Sequence, residues 1–446
     1  MIVDSVLTNA KAYLKGEIVD CSFAIDEGKI QKIGKETNMP SADEKIDLRH
    51  MLVLPGVIDS HVHLRDEGKS YKETFFTGTA SAAAGGVTTV LDMPNNSPVT
   101  MSAETVRNRM QIAGRSVLVN VGFFSEFPEN LDDTKTIVAE GAVGFKLFMA
   151  EQVGGLNIDD DQVLKEAFTR AGELDVPVAV HAEDHSLLKS AIEQLKLSNR
   201  HNLAAFLKAH NDATEFAAAE RVLEITAENK KVRLHFCHVS TQKTLDAVAQ
   251  AKKVGKTVTC EVTPHHLLLT KDAYAQLGAF ALTMPPLRTH ENVDALWKGL
   301  EACTVDTLGS DHAPHAVKEK DAASIWDVKV GVPGLETNLP LILTMVHKGK
   351  LTLGRTLELL CEKPAEIFHL PDKGRLEQGK CGDLVVVDFN GKFKIDASKF
   401  KSKAKFSPFD KWDVQGKPVK TFVNGKLVMD EGEIVVKAGS GSIIRR

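Results

Sequence analysis

The sequence predicts a closed (β/α)8 barrel of the TIM type, with a small β-sandwich assembled from both chain termini. Two observations carry this reading. Between residues 56 and 374, apolar β-branched runs alternate with Ala-, Leu-, Glu- and Lys-rich helical stretches, the pattern of a parallel sheet. Residues 1–55 and 375–446 instead read as short strands joined by tight turns, such as "VDCSFAIDEGKIQKIG" and "KTFVNGKLVMDEGEIVVK".

The barrel strands are expected at Val57–His61, Val87–Leu91, Val117–Phe123 and Val143–Phe148, then at Val176–His181, Val232–Cys237, Thr257–Val262 and Val305–Ser310. An open doubly wound sheet is the competing arrangement. No G-x-G-x-x-G follows the first run and no G-x-x-x-x-G-K-[ST] occurs, so its nucleotide-binding forms lose support.

At 446 residues the chain has room for one large domain and an appendage. A net charge of −5 without a long basic run argues against nucleic acid as a partner. No stretch reaches the roughly 18 apolar residues of a membrane helix, and the N-terminus lacks a signal-peptide pattern. A cytoplasmic enzyme without a membrane partner is the expectation. Six scattered cysteines offer neither a disulfide framework nor a C-x-x-C metal pair.

In a barrel, the C-terminal ends of the strands converge on one mouth, where chemistry sits. The first strand ends in His61 and His63, followed by Arg65. The second leads to Asn95. The fourth carries Lys146, the fifth ends in His181, and the sixth leads to His238. The seventh leads to His265 and His266, and the eighth to Asp311, His312 and His315. One histidine at a strand end is commonly a packed core residue. Imidazole or carboxylate at several strand ends, with a lysine in another strand, points to a shared metal, because unpaired buried polar groups each cost about 1–3 kcal/mol. The two histidines of H-x-H share one face of a strand, and imidazole suits zinc. Lys146 is either a neutral amine, a lysine pointing elsewhere, or a carbamate that bridges two metals.

H-x-H-x-R, "DMPN", "GFKLF", "VAVHAED", "CHVS", "EVTPHHLLL" and "SDHAPH", in this order between about Leu54 and Phe368, resemble the dihydroorotase branch of the amidohydrolase superfamily. "GRLEQGKCGDLVVVD" is similar to that family's return into its β domain. The resemblance implies that His61, His63 and Asp311 hold one zinc ion and that His181 and His238 hold a second. Carboxylated Lys146 would bridge them, with His235 the alternative to His238. It implies reversible hydrolysis of (S)-dihydroorotate to N-carbamoyl-L-aspartate in pyrimidine synthesis. A metal-activated hydroxide attacks the ring amide carbonyl, with Asp311 as proton shuttle and Arg65, Asn95 and His315 binding the substrate carboxylate. A homodimer is implied too, with room for assembly with other pyrimidine-pathway enzymes.

Two rivals stand beside this expectation. One is a hydantoinase, dihydropyrimidinase or allantoinase acting on another cyclic amide; the other is a non-catalytic scaffold. Met284 stands where the family often has asparagine, and "DEGKSYKE" lacks a proline common in relatives. The paired glycines of "MAEQVGGLN", within residues 149–157, allow either a lid or an ordinary loop.

Overall fold

The computed structural model describes residues 2–446. Eight parallel strands lie side by side in sequence order: Val57–Val62, Val87–Asp92, Asn120–Glu126, Gly144–Phe148, Pro177–His181, Arg233–Phe236, Val258–Val262 and Thr307–Leu308. Helices connect them on the outside, and apolar side chains of both layers form one continuous core. All eight runs read from the sequence are strands, with two shifts. The third starts at Asn120 rather than Val117. The eighth is only two residues long, because polar side chains and the neighbouring strand take up the backbone groups around it.

The barrel is closed between its first and eighth strands by a few specific bonds rather than by a ladder. Buried Asp59 accepts the Ser310 amide (3.1 Å), and the His63 amide donates to the His312 carbonyl (2.8 Å). A bridge pairs Val62 with His312. The strand ends that carry the first and last site residues are therefore locked together.

The outer β structure is one nine-stranded mixed sheet that draws on both ends of the chain. Leu52–Pro55 is the seam, parallel to Ile2–Leu14 on one side and antiparallel to Leu384–Lys394 on the other. Period-two alternation gives the sheet two buried faces. Val53, Leu384, Val386 and Phe422 face the domain's own core, while Leu52, Leu54, Val385 and Val387 pack on the barrel. Its hairpins use the turns the sequence suggests. Glu27–Gly28 and Asn424–Gly425 both have two positive φ angles, which matches the twist of the flanking strands.

Residues 375–446 are not all β domain. Ile395, Ala397, Phe400 and Phe409 leave the sheet to pack beside barrel residues such as Tyr274 and Leu282. The last residues run under the third barrel strand, where Val121 donates to the Ser442 carbonyl (2.9 Å) and Ile444 donates to the Val121 carbonyl (2.8 Å). No helix among the described residues is long and apolar enough to cross a membrane.

Phe422 fills the core of the β domain at 1% exposure. Phe422→Ala should lower the unfolding free energy by about 3–5 kcal/mol in a urea melt.

Candidate active site

At the C-terminal mouth of the barrel a cavity of about 400 Å³ is lined by His61, His63, Arg65, Asn95, His181, His238, Asp311 and His315. Eight of the nine residues to which the sequence assigns a ligand or substrate-binding part thus face one space. The ninth, Lys146, is fully buried beside it, where its amine hydrogen-bonds the Cys237 thiol at 3.1 Å. Met284 also lines the cavity.

The imidazoles converge as ligand donors. His61 Nδ1 donates to Glu261 (2.8 Å) and His63 Nδ1 to Asn95 Oδ1 (2.7 Å). Both Nε2 atoms then face Asp311 Oδ1, at 3.5 and 3.3 Å. His181 gives its Nε2 to Glu183 (3.0 Å), leaving Nδ1 at 3.0 Å from His238 Nε2. Burial holds His61 below the usual imidazole range, and His63 and His238 well below it, with the charges of Lys146, Arg65 and His181 respectively adding to the effect. These three rings are neutral at pH 7 and keep lone pairs for a metal. Nitrogen and carboxylate atoms with fixed tautomers, and buried nitrogens left over once other bonds are made, fit a metal ion.

His235 lies elsewhere. Its ring bonds Thr259 (2.9 Å) and packs edge-on against Phe368 at 5.3 Å, away from the cavity. His238 lines the cavity instead. Its φ of 35°, like those of Arg65 (64°) and Asp311 (45°), is in the left-handed region that non-glycine residues seldom adopt. Three backbone outliers among the mouth residues are a sign of a functional constraint.

Beside the donors lies an anion pocket. The Arg65 guanidinium is buried, its Nε has no hydrogen-bond partner, and it forms no salt bridge among the described residues. Burial lowers it only to about 10, so it stays charged at neutral pH. Lys69 and Lys72 line the same space. Behind them, Arg109 pairs with Asp92, stacks on Phe75 and bonds the Asp66 carbonyl. Asp92 in turn accepts the Leu64 amide (2.8 Å), so this buried ion pair holds both flanks of Arg65.

His315 differs from its expected part as a free donor. Its Nε2 donates to the Val330 carbonyl (2.8 Å), so its Nδ1 can only accept, and it does so from Lys72 Nζ (3.0 Å). Burial and the charges of Arg65 and Lys72 hold the ring far below the usual range, hence neutral. The ring supports Lys72 rather than offering an N–H to a ligand. Asn95 gives its side-chain oxygen to His63, which leaves only its amide N–H groups for the cavity. The glycines of residues 149–157 are there for close packing: a Cβ on Gly155 would meet the Glu129 amide at 2.4 Å. Leu156 and Ile158 anchor the same loop in the core.

Glu261 and Glu183 were not singled out from the sequence. Glu261 is a charge inside the strand run Val258–Val262, the same signal that marks Lys146, and Glu183 follows His181 by two residues.

Residues 52–428 match the family described as "Amidohydrolase family". An L-hydantoinase from Paenarthrobacter aurescens is 34% identical, over 99% of this chain and 98% of its own. A dihydroorotase from Wolbachia sp. subsp. Drosophila simulans (strain wRi) is 37% identical, over 94% of this chain and 96% of its own. Among solved structures, an L-hydantoinase (dihydropyrimidinase) from Arthrobacter aurescens superposes with a TM-score of 0.95 at 33% identity, covering 100% of both chains. The chain belongs to the amidohydrolase family. It is a hydrolase of the branch in which the dihydroorotases and their cyclic-amide relatives fall.

Arg109→Ala leaves the Asp92 carboxylate buried without its cationic partner. The loss expected in a urea melt is about 3–5 kcal/mol.

Proposed function

We propose that the chain is a zinc-dependent dihydroorotase, interconverting (S)-dihydroorotate and N-carbamoyl-L-aspartate as a step of pyrimidine synthesis. The observation that carries the choice of substrate is Arg65, a buried cation without a carboxylate partner that faces the cavity. Removing a guanidinium from water is costly unless an anion meets it. A ring carboxylate supplies that anion, whereas a neutral cyclic ureide does not.

The metal set we propose is two zinc ions. His61, His63 and Asp311 would hold one and His181 and His238 the other, and Lys146, as a carbamate, would supply an anionic ligand to both. In support, the Lys146 amine is fully buried beside this ring of donors. When bound, the ions acidify water and polarise the carbonyl to be attacked. The chain's own groups do the rest. Arg65, with Lys69 and Lys72 beside it, grips the carboxylate and fixes the ring. Asp311, pushed up from its ordinary range by burial, takes a proton from the attacking water and delivers it to the leaving ring nitrogen. Glu261 and Asn95 hold His61 and His63 in the tautomers that leave their Nε2 lone pairs free. The absence of disulfides among the six cysteines accords with a cytoplasmic setting.

The second reading, a hydantoinase, is favoured by the full-length superposition on the Arthrobacter enzyme. Purified zinc-loaded protein should hydrolyse dihydroorotate faster than hydantoin, dihydrouracil or allantoin. Turnover of hydantoin but not of dihydroorotate overturns the first reading. Arg65→Ala should cut kcat/KM for dihydroorotate by roughly 100-fold or more, mostly through KM. Lys146→Ala should release about one equivalent of zinc by elemental analysis and abolish most activity.

A further inference from the structure

The reaction proposed above gives no role to Glu73, although its carboxylate is completely buried, 0% exposed, close to the mouth. It sits in the loop before helix Phe75–Ala84 and accepts hydrogen bonds from Thr77 Oγ1, from Ser402 Oγ and from the Lys403 amide (3.2 Å). Two of these donors lie in the excursion that the β domain sends onto the barrel, 329 and 330 residues further along the chain.

The remaining neighbour of Glu73 is His312, whose Nε2 stands 3.5 Å from Oε2. The tautomer of His312 is fixed: its Nδ1 accepts the Gly334 amide (3.1 Å), so its proton is on Nε2, which has the Glu73 carboxylate as its charged neighbour and no hydrogen-bond partner. The His312 backbone is equally committed. Its carbonyl accepts the His63 amide (2.8 Å), its amide donates to Ser310 Oγ (3.0 Å), and it bridges to Val62 and Val332. His312 thus anchors the chain on one side of Asp311, as Ser310, whose amide bonds Asp59, does on the other. The Asp311 φ of 45° lies in the left-handed region, which costs a non-glycine residue energy that the surrounding contacts must offset. On the other face of the same loop, Lys72 bonds His315. Consecutive residues thus meet the two histidines of the D-H-A-P-H segment, Lys72 by a hydrogen bond to His315 and Glu73 as the buried charge beside His312.

We propose that Glu73 is a positioning residue: seated by Ser402 of the C-terminal β domain, it fixes His312 and through it the orientation of the Asp311 carboxylate. This rests on the reading of Asp311 as ligand and proton carrier, and it makes residues 402–403 part of the active-site scaffold. Glu73 touches neither the cavity nor a reacting atom, so its loss acts on turnover and not on substrate affinity.

The test compares zinc-loaded wild type with Glu73→Gln, Ser402→Ala and Ser402→Thr, using whichever of dihydroorotate and hydantoin the wild type hydrolyses. Glu73→Gln should lower kcat roughly 10–100-fold with KM within about twofold. Ser402→Ala should lower kcat by less, and Ser402→Thr, which keeps the hydroxyl, should restore it. Unchanged kcat in a folded Glu73→Gln overturns the proposal. So does a Ser402→Thr no better than Ser402→Ala, with both losing kcat only in step with thermal stability. If Glu73→Gln does not fold, the two Ser402 variants decide. If the wild type hydrolyses neither substrate, the substrate reading fails on its own and the cobalt-loaded proteins settle this one. A visible absorption band displaced in Glu73→Gln supports the role, and superimposable spectra overturn it.

Discussion

The mouth of the barrel depends on one ionised carboxylate, that of Glu261. It is fully buried inside the seventh strand and accepts from His61 Nδ1, from Ser60 Oγ (3.2 Å) and from the His238 amide (3.3 Å). Burial alone would push it up, but the histidines around it outweigh that and hold it well below the usual carboxylate range. A charge this deep persists only when its lone pairs are taken up. Taking them up joins the first, sixth and seventh strands at one level. It also decides which nitrogen of His61 is left for a ligand, and it places the backbone of His238 in its unusual conformation. Remove the charge and the register of the donors loses its reference point.

A second constraint is that the barrel's first and last strands do not share a ladder. Closure rests on Asp59 and on the backbone of His63 and His312, the same short segments that carry the proposed metal ligands and the proposed proton carrier. Holding the fold shut and holding the site in shape are therefore the same set of bonds. This explains why so many polar residues with fixed tautomers are crowded where an ordinary barrel would use aliphatic side chains.

The elements legible in the sequence are those with a local signature. The eight strands are apolar runs, the hairpins carry Glu-Gly or Asn-Gly turns, and the mouth histidines stand at strand ends. What was not legible depends on contacts made across the chain. Nothing in "KSYKETFF" marks Glu73 as buried, since its partner Ser402 comes from the other end of the sequence. His315 reads as a donor in isolation and becomes an acceptor only once Lys72 and Val330 are in place. The excursion around Phe400 and the tail under the third strand were assigned to the β domain, because composition does not reveal which neighbour a loop will pack on.

That tail has a practical bearing. Gly441, Ser442 and Ile444 are bonded along the underside of the barrel, and Arg446 reaches Asp175 (3.3 Å) just ahead of the fifth strand. Anything joined beyond Arg446 leaves from the face opposite the cavity. A surface that captures the protein by that end would present the mouth outward to solution, with the whole height of the barrel between the attachment and the chemistry.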